Sequence, residues 1–222
     1  MNKIPLVFLH GWAKNKGDYA PLLSSLSPNV KVFPLDLPGF GTEPILKAMD
    51  LDDYAQFVTR FIKKNDLGPV IVGGHSFGGR VAIKLTLNYP ELVKKLILVD
   101  SAGIERKSLK TKILQIFAAI TPTRIKELAR PLVGSKDYLA SVGLVRETMK
   151  NIVAENLEPD LSKIAVPTLI VWGDRDHTTP LWQGNLMHKL INRSQMVIIP
   201  GGDHGVPYRR GQEAATAINK FL

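Results

Sequence analysis

The chain has 222 residues, 45% of them apolar and 22% charged, enough for one soluble domain with a substantial core or a core plus a modest insertion. No apolar run approaches the roughly 18 residues of a membrane span, and the absence of cysteine excludes disulfides, thiolate metal sites and a cysteine nucleophile. The net charge of +9 comes from lysines and arginines scattered in ones and twos, as in Lys63-Lys64, Lys94-Lys95 and Arg209-Arg210. Without a basic block or interleaved aromatics, that pattern predicts a solvated surface and no nucleic-acid or membrane partner.

In chain order, Pro5–Leu9 reads as a first strand and not as a signal peptide, so a cytoplasmic enzyme, monomeric or homodimeric, is expected. Further strands are predicted at Val30–Leu35, Val70–Gly73, Leu96–Asp100, Thr168–Trp172 and Met196–Pro200. Most are apolar throughout rather than alternating, as strands are when helices cover both faces of a sheet. Between them lie helical stripes. Leu51, Tyr54, Ala55, Val58, Phe61 and Ile62 share one face, as do Ala214, Ala217, Ile218, Phe221 and Leu222 near the end. Alternation of this kind predicts an α/β fold with a parallel, doubly wound sheet.

One stretch breaks the alternation. From Ile104 to Ser162 only helical patterns occur, with stripes at Ile113, Ile116, Phe117 and Ile120 and at Leu144, Val145, Thr148 and Ile152. Nearly sixty residues are too many for a simple crossover. They predict a helical cap over 104–162 inserted into a core of 1–103 plus 163–222. The cap stripe would mainly pack on the core, with an apolar substrate pocket as its second possible job. Arg124, Lys126, Arg130 and Arg146 are expected to be solvated, or to meet an anionic substrate group.

The most informative segment runs from Val70 to Ala82: an apolar strand, then Gly74-His75-Ser76-Phe77-Gly78, then a helical pattern. A serine on so sharp a strand-to-helix turn needs unfavourable backbone angles, and glycines on either side let the turn close. The hydroxyl is then presented at the carboxyl edge of the sheet, beside a helix amino terminus, where a nucleophile is useful. No pair of histidines has metal-ligand spacing such as His-x-x-x-His, so neither metal nor cofactor is expected.

With this motif the chain resembles the α/β-hydrolases, and further landmarks follow in that superfamily's order: His10-Gly11-Trp12 after the first strand, Asp36-Leu37-Pro38-Gly39-Phe40-Gly41 after the second, Gly173-Asp174-Arg175-Asp176 leading to Pro180, and Gly202-Asp203-His204-Gly205 after the last strand. The resemblance implies Ser76 as nucleophile, Asp176 as acid and His204 as base. It also implies an oxyanion hole made by the backbone N–H groups of Trp12 and Phe77. Asp100, at the end of the Leu96–Val99 strand, is the rival acid, because some members place theirs there. Asp174 reads as a loop carboxylate, His10 as a brace for its loop, and His75, His177 and His188 as structural or surface residues. The function implied is hydrolysis of small carboxylic esters through an acyl-enzyme. The alternatives are cleavage of a carbon–carbon bond, which Gly-His-Ser-Phe-Gly-Gly-Arg-Val-Ala also resembles, and a non-catalytic ligand receptor on the same scaffold.

Overall fold

The computed structural model describes residues 3–105 and 142–222. Six strands, β1 (Ile4–Leu9), β2 (Val30–Leu35), β3 (Val70–His75), β4 (Val93–Val99), β5 (Thr168–Gly173) and β6 (Ser194–Ile199), form one sheet of order β2-β1-β3-β4-β5-β6. Every pairing is parallel. Among the described residues the α-helices are α1 (Ala20–Leu23), α2 (Leu51–Lys64), α3 (Phe77–Asn88), α4 (Gly143–Ala154), α5 (Leu181–Leu190), α6 (Val206–Arg209) and α7 (Gly211–Phe221).

Residue parity along the inner strands splits the core into two layers. Val7, Leu9, Val70, Val72, Leu96, Leu98, Ile170 and Trp172 face Tyr54, Val58 and Ile62 of α2, Val81 and Leu85 of α3 and Met187 of α5. Leu6, Phe8, Ile71, Ile97, Val99, Leu169 and Val171 face Tyr19, Leu22 of α1, and Ala214, Ala215 and Ile218 of α7. Burial on both sides is why these strands read as continuous apolar runs. The expected doubly wound sheet is therefore present, and the chain's direction reverses between β1 and β3. In parallel sheets of this kind, loops after the strands on either side of such a switch point diverge at the carboxyl edge, which is where ligands bind.

Strand β4 begins at Val93, three residues before the sequence predicts, although Lys94 and Lys95 are polar. Val93 pairs with Val70 and Lys95 with Ile71, so Lys94 bulges out of the ladder. Lys95 sends its ammonium to the carbonyls of Phe221 and Leu222. A bulge and a long side chain that reaches the carbonyls at the end of α7 accommodate both charges.

Of the predicted cap, Ile113, Ile116, Phe117, Ile120, Arg124, Lys126 and Arg130 lie outside the described residues. The return limb is described. In α4, Thr148 and Ile152 are buried, Val145 and Arg146 are half-buried, and Leu144 is exposed. Thr148 Oγ1 accepts the Met49 N–H at 2.9 Å. The two ends of the segment are pinned together. Leu157 N–H donates to the Gly103 carbonyl at 2.9 Å, and Glu105 N–H donates to Asn156 at 3.1 Å. The buried Arg80 of α3 donates to both the Ile152 carbonyl and Glu105.

Candidate active site

Three loops from the carboxyl edge of the sheet converge on Ser76. The first is the turn between β3 and α3. Ser76 has φ 51° and ψ −114°, a left-handed conformation that a residue with a side chain adopts only under constraint. The constraint is close backbone packing. A Cβ on Gly74 would lie 2.2 Å from the Gly78 carbonyl oxygen, and one on Gly78 would lie 2.2 Å from that of Leu9 in β1. The two glycines of the motif thus let the first turn of α3 press against β3 and β1. This holds Ser76 at the carboxyl edge of the sheet with Phe77 as the first residue of the helix.

The second loop carries Asp176. Asp176 has a fully buried side chain that accepts four hydrogen bonds. Oδ1 takes the N–H groups of Thr178 and Thr179 at 2.7 and 2.9 Å; Oδ2 takes the Thr179 hydroxyl at 2.7 Å and His204 Nδ1 at 2.7 Å. Burial alone would raise its pKa, but these bonds and the neighbouring imidazole outweigh it and hold the carboxyl below the usual range. The third loop carries His204, whose Nε2 lies 2.9 Å from Ser76 Oγ. Because the Asp176 carboxylate only accepts, Nδ1 carries the proton and Nε2 is free to accept one from the serine. The structure brings Ser76, His204 and Asp176 into one hydrogen-bonded line.

The other aspartates lie elsewhere. Asp174 accepts the Gly201 N–H at 2.7 Å. Asp100, the residue after β4, has φ 43° and is fully buried, with Oδ1 accepting the Gly173 N–H at 2.8 Å. Its Oδ2 has no hydrogen-bond partner among the described residues. Desolvation, with smaller contributions from Asp176 and Asp203, pushes its pKa up to about 8.

The loop after β1 lies beside Phe77, with the Trp12 ring centroid 5.2 Å from that of Phe77 and 4.8 Å from that of Phe40. His10 braces this loop. Its Nε2 accepts the Leu37 N–H at 2.9 Å, so Nδ1 carries the proton and donates to the Gly11 carbonyl at 2.7 Å. A trans peptide is planar, so fixing the Gly11 carbonyl also fixes the Trp12 N–H, which points the opposite way. Among the described residues, the Trp12 and Phe77 N–H groups donate to no other protein group. Asp36 holds the neighbouring loop through Lys16 and Thr42. Those bonds overcome the effect of burial and take its carboxyl to about 2.

Of the remaining histidines, His188 bonds Ser194 at 2.8 Å on the surface, and His177 is exposed. His75 is buried against His204. Among the described residues no three His, Cys, Asp or Glu side chains are grouped to hold a metal ion. Sequence reasoning missed Thr178, Thr179 and Tyr19. The threonines carried a legible signal, since an aspartate commonly accepts the N–H groups two and three residues on. Tyr19 carried none.

A strained serine at the switch point of a parallel sheet, lined up with a histidine and an aspartate from two later loops, defines a class of enzymes. The sequence profile of the Alpha/beta hydrolase family matches residues 6–217, and the chain belongs to that family. Among individual relatives, it is 28% identical over 225 residues to the pimeloyl-[acyl-carrier protein] methyl ester esterase of Nitrosomonas europaea, covering 90% of this chain and 88% of that one. It is also 28% identical to Lipase 1 of Psychrobacter immobilis, covering 90% and 71%. Among solved structures, a putative lipase of Acinetobacter baumannii superposes with a TM-score of 0.77 at 24% identity, covering 99% and 83%. MenH of Staphylococcus aureus superposes with a TM-score of 0.77 at 24%, covering 100% and 94%.

Proposed function

We propose that the protein is a carboxylic ester hydrolase that cleaves small esters through an acyl-enzyme on Ser76. The observation that carries this reading is the Ser76–His204–Asp176 line, with its contacts of 2.9 and 2.7 Å, in a chain whose relatives include a methyl ester esterase and a lipase.

In this mechanism Ser76 Oγ attacks the ester carbonyl carbon while its proton passes to His204 Nε2. Asp176 keeps the imidazole in the required tautomer and offsets the positive charge it gains. The negative oxygen of the tetrahedral intermediate is met by the Trp12 and Phe77 N–H groups, each worth a few kcal/mol of barrier in comparable sites. Collapse of the intermediate breaks the C–O bond, and the departing alkoxide takes the proton from His204. A water then gives a proton to His204 and attacks the acyl carbon; collapse of this second intermediate breaks the bond to Ser76 Oγ, which takes the proton back from His204 as the acid is released. Water is the only co-reactant, so the cycle balances without a cofactor. We read residues 104–162 as the cap that shapes the substrate pocket. The segment leaves the core after β4, beside the nucleophile strand, and its return limb rests on the loop before α2.

The test is turnover of p-nitrophenyl esters of increasing acyl length, with fluorophosphonate labelling mapped by mass spectrometry. The reading requires turnover, labelling at Ser76, and loss of both in Ser76→Ala. Labelling at another serine, or full activity in the alanine variant, would overturn it.

A further inference from the structure

Immediately before the nucleophile, β3 points His75 to the sheet face opposite α3, where it is buried beneath the site. Its Nε2 lies 2.9 Å from the His204 carbonyl oxygen. A carbonyl accepts only, so Nε2 carries the proton and the neutral ring leaves Nδ1 bare. Tyr19 then has one role open to it. Its hydroxyl, 2.8 Å from Nδ1, donates to the ring, and its oxygen accepts the Gly11 N–H at 2.7 Å. Every donor and acceptor in this chain is matched, with one polarity throughout: Gly11 N–H to Tyr19, Tyr19 O–H to His75, His75 N–H to the His204 carbonyl.

The arrangement is tight. Tyr19 has no exposed surface, and a Cβ on Gly11 would stand 2.8 Å from His75 Nδ1. The His75 and His204 ring centroids are 4.8 Å apart. The groups packed around the imidazole are Tyr19, Tyr208 and His204. Burial, followed by the neighbouring His204, lowers the pKa of His75 to about 3, so the ring stays neutral, as this bonding pattern requires.

The chain joins two parts of the site that are far apart in sequence. At one end Gly11 precedes the Trp12 amide, and at the other the backbone of His204 sets where its own imidazole stands. We infer that Tyr19 and His75 are positioning residues that hold the oxyanion loop and the base loop at a fixed separation across Ser76. The inference rests on the reading of Ser76 and His204 given above. Neither residue touches the reacting atoms. Both act on the alignment of groups that do, and misalignment of about 1 Å is enough to slow a positioned reaction by about 100-fold.

The test compares wild type, Tyr19→Phe, His75→Leu and His75→Gln for p-nitrophenyl butyrate turnover, with fluorophosphonate labelling and thermal unfolding of each. Tyr19→Phe keeps the ring that packs on Phe8 and removes only the hydroxyl, so it should fold. We expect it to lower kcat by about 10- to 100-fold with KM within about twofold, because alignment is lost and uniform substrate binding is not. Glutamine restores an N–H for the His204 carbonyl and an acceptor for Tyr19, so His75→Gln should turn over at least about 10-fold faster than His75→Leu. Should His75→Leu fail to fold, His75→Gln must still exceed Tyr19→Phe. A folded Tyr19→Phe with wild-type kcat, a change confined to KM, or a glutamine variant no faster than its comparator would each overturn the positioning role. Those results leave wild-type labelling at Ser76 untouched, whereas labelling elsewhere in the wild type would remove the underlying reading.

Discussion

Replacing each of the two buried aspartates at the carboxyl edge by asparagine should give opposite results, because the site holds one ionised and the other neutral. Asp176 accepts four hydrogen bonds and lies below the usual carboxylate range. Asp176→Asn removes a charge that His204 uses and favours the wrong tautomer, so turnover should fall by about 10⁴-fold, or about 5 kcal/mol of barrier. Asp100, raised to about 8 by desolvation, is already uncharged at pH 7. An amide of nearly the same shape keeps an acceptor for the Gly173 N–H, and turnover should fall by less than about tenfold, or about 1.4 kcal/mol. Stability separates the pair further. The folded pKa of Asp100 is raised above the unfolded value of 3.8, so between those limits the folded state holds one proton more than the unfolded state. Its contribution to stability is full below pH 3.8 and is lost as pH rises to about 8, at about 1.4 kcal/mol per pH unit. Asp100→Asn abolishes that slope. In urea unfolding, the variant should therefore gain on the wild type by about 4 kcal/mol between pH 5 and pH 8. Parallel stability curves, or a folded Asp100→Asn enzyme as slow as Asp176→Asn, would refute the assignment of charge within the site.

His75 should act in the opposite sense. Its folded pKa of about 3 lies below the ordinary 6.5, so the wild type should lose stability relative to His75→Gln as pH falls from 6.5 towards 3, a difference that pH-dependent chemical denaturation would measure. Gly78→Ala should prevent accumulation of folded protein, since the added methyl meets the Leu9 carbonyl, a backbone atom in the central sheet; a soluble variant with a wild-type melting temperature would contradict that. Arg80→Met should cost about 1–3 kcal/mol in urea unfolding, because it removes a buried guanidinium that bonds the Ile152 carbonyl and Glu105, and leaves that carbonyl only the long Glu155 N–H contact at 3.4 Å. On a DNA column the protein should be retained weakly at low ionic strength and elute by physiological salt, where screening acts within about 8 Å. Many of its charges are already paired, as in Lys84 with Asp52 and Glu155 or Arg210 with Glu213.

Much of this protein is legible along the chain because its signals are local. Buried strands read as apolar runs, and helix α2 as a stripe from Leu51 to Ile62. The strand–Gly74-His75-Ser76-Phe77-Gly78–helix segment carries its own steric reason for placing a serine at the sheet edge. The resemblance to a family supplied His204 and preferred Asp176, but between Asp100 and Asp176 the residues themselves left the choice open, since both follow a strand at the carboxyl edge. Tertiary structure separated them by distance and solvent: one carboxylate lies 2.7 Å from His204 Nδ1, while the other is sealed beside Gly173 with one oxygen unpartnered among the described residues. The bond between Tyr19 and His75 spans 56 residues of sequence. The periodicity of β3 already turns His75 away from α3, but only the packed fold sets a tyrosine hydroxyl and a distant backbone carbonyl at its two nitrogens. Hydrogen-bond polarity and protonation depend on what surrounds a group once water is excluded, and those neighbours come from segments that meet only when the sheet closes.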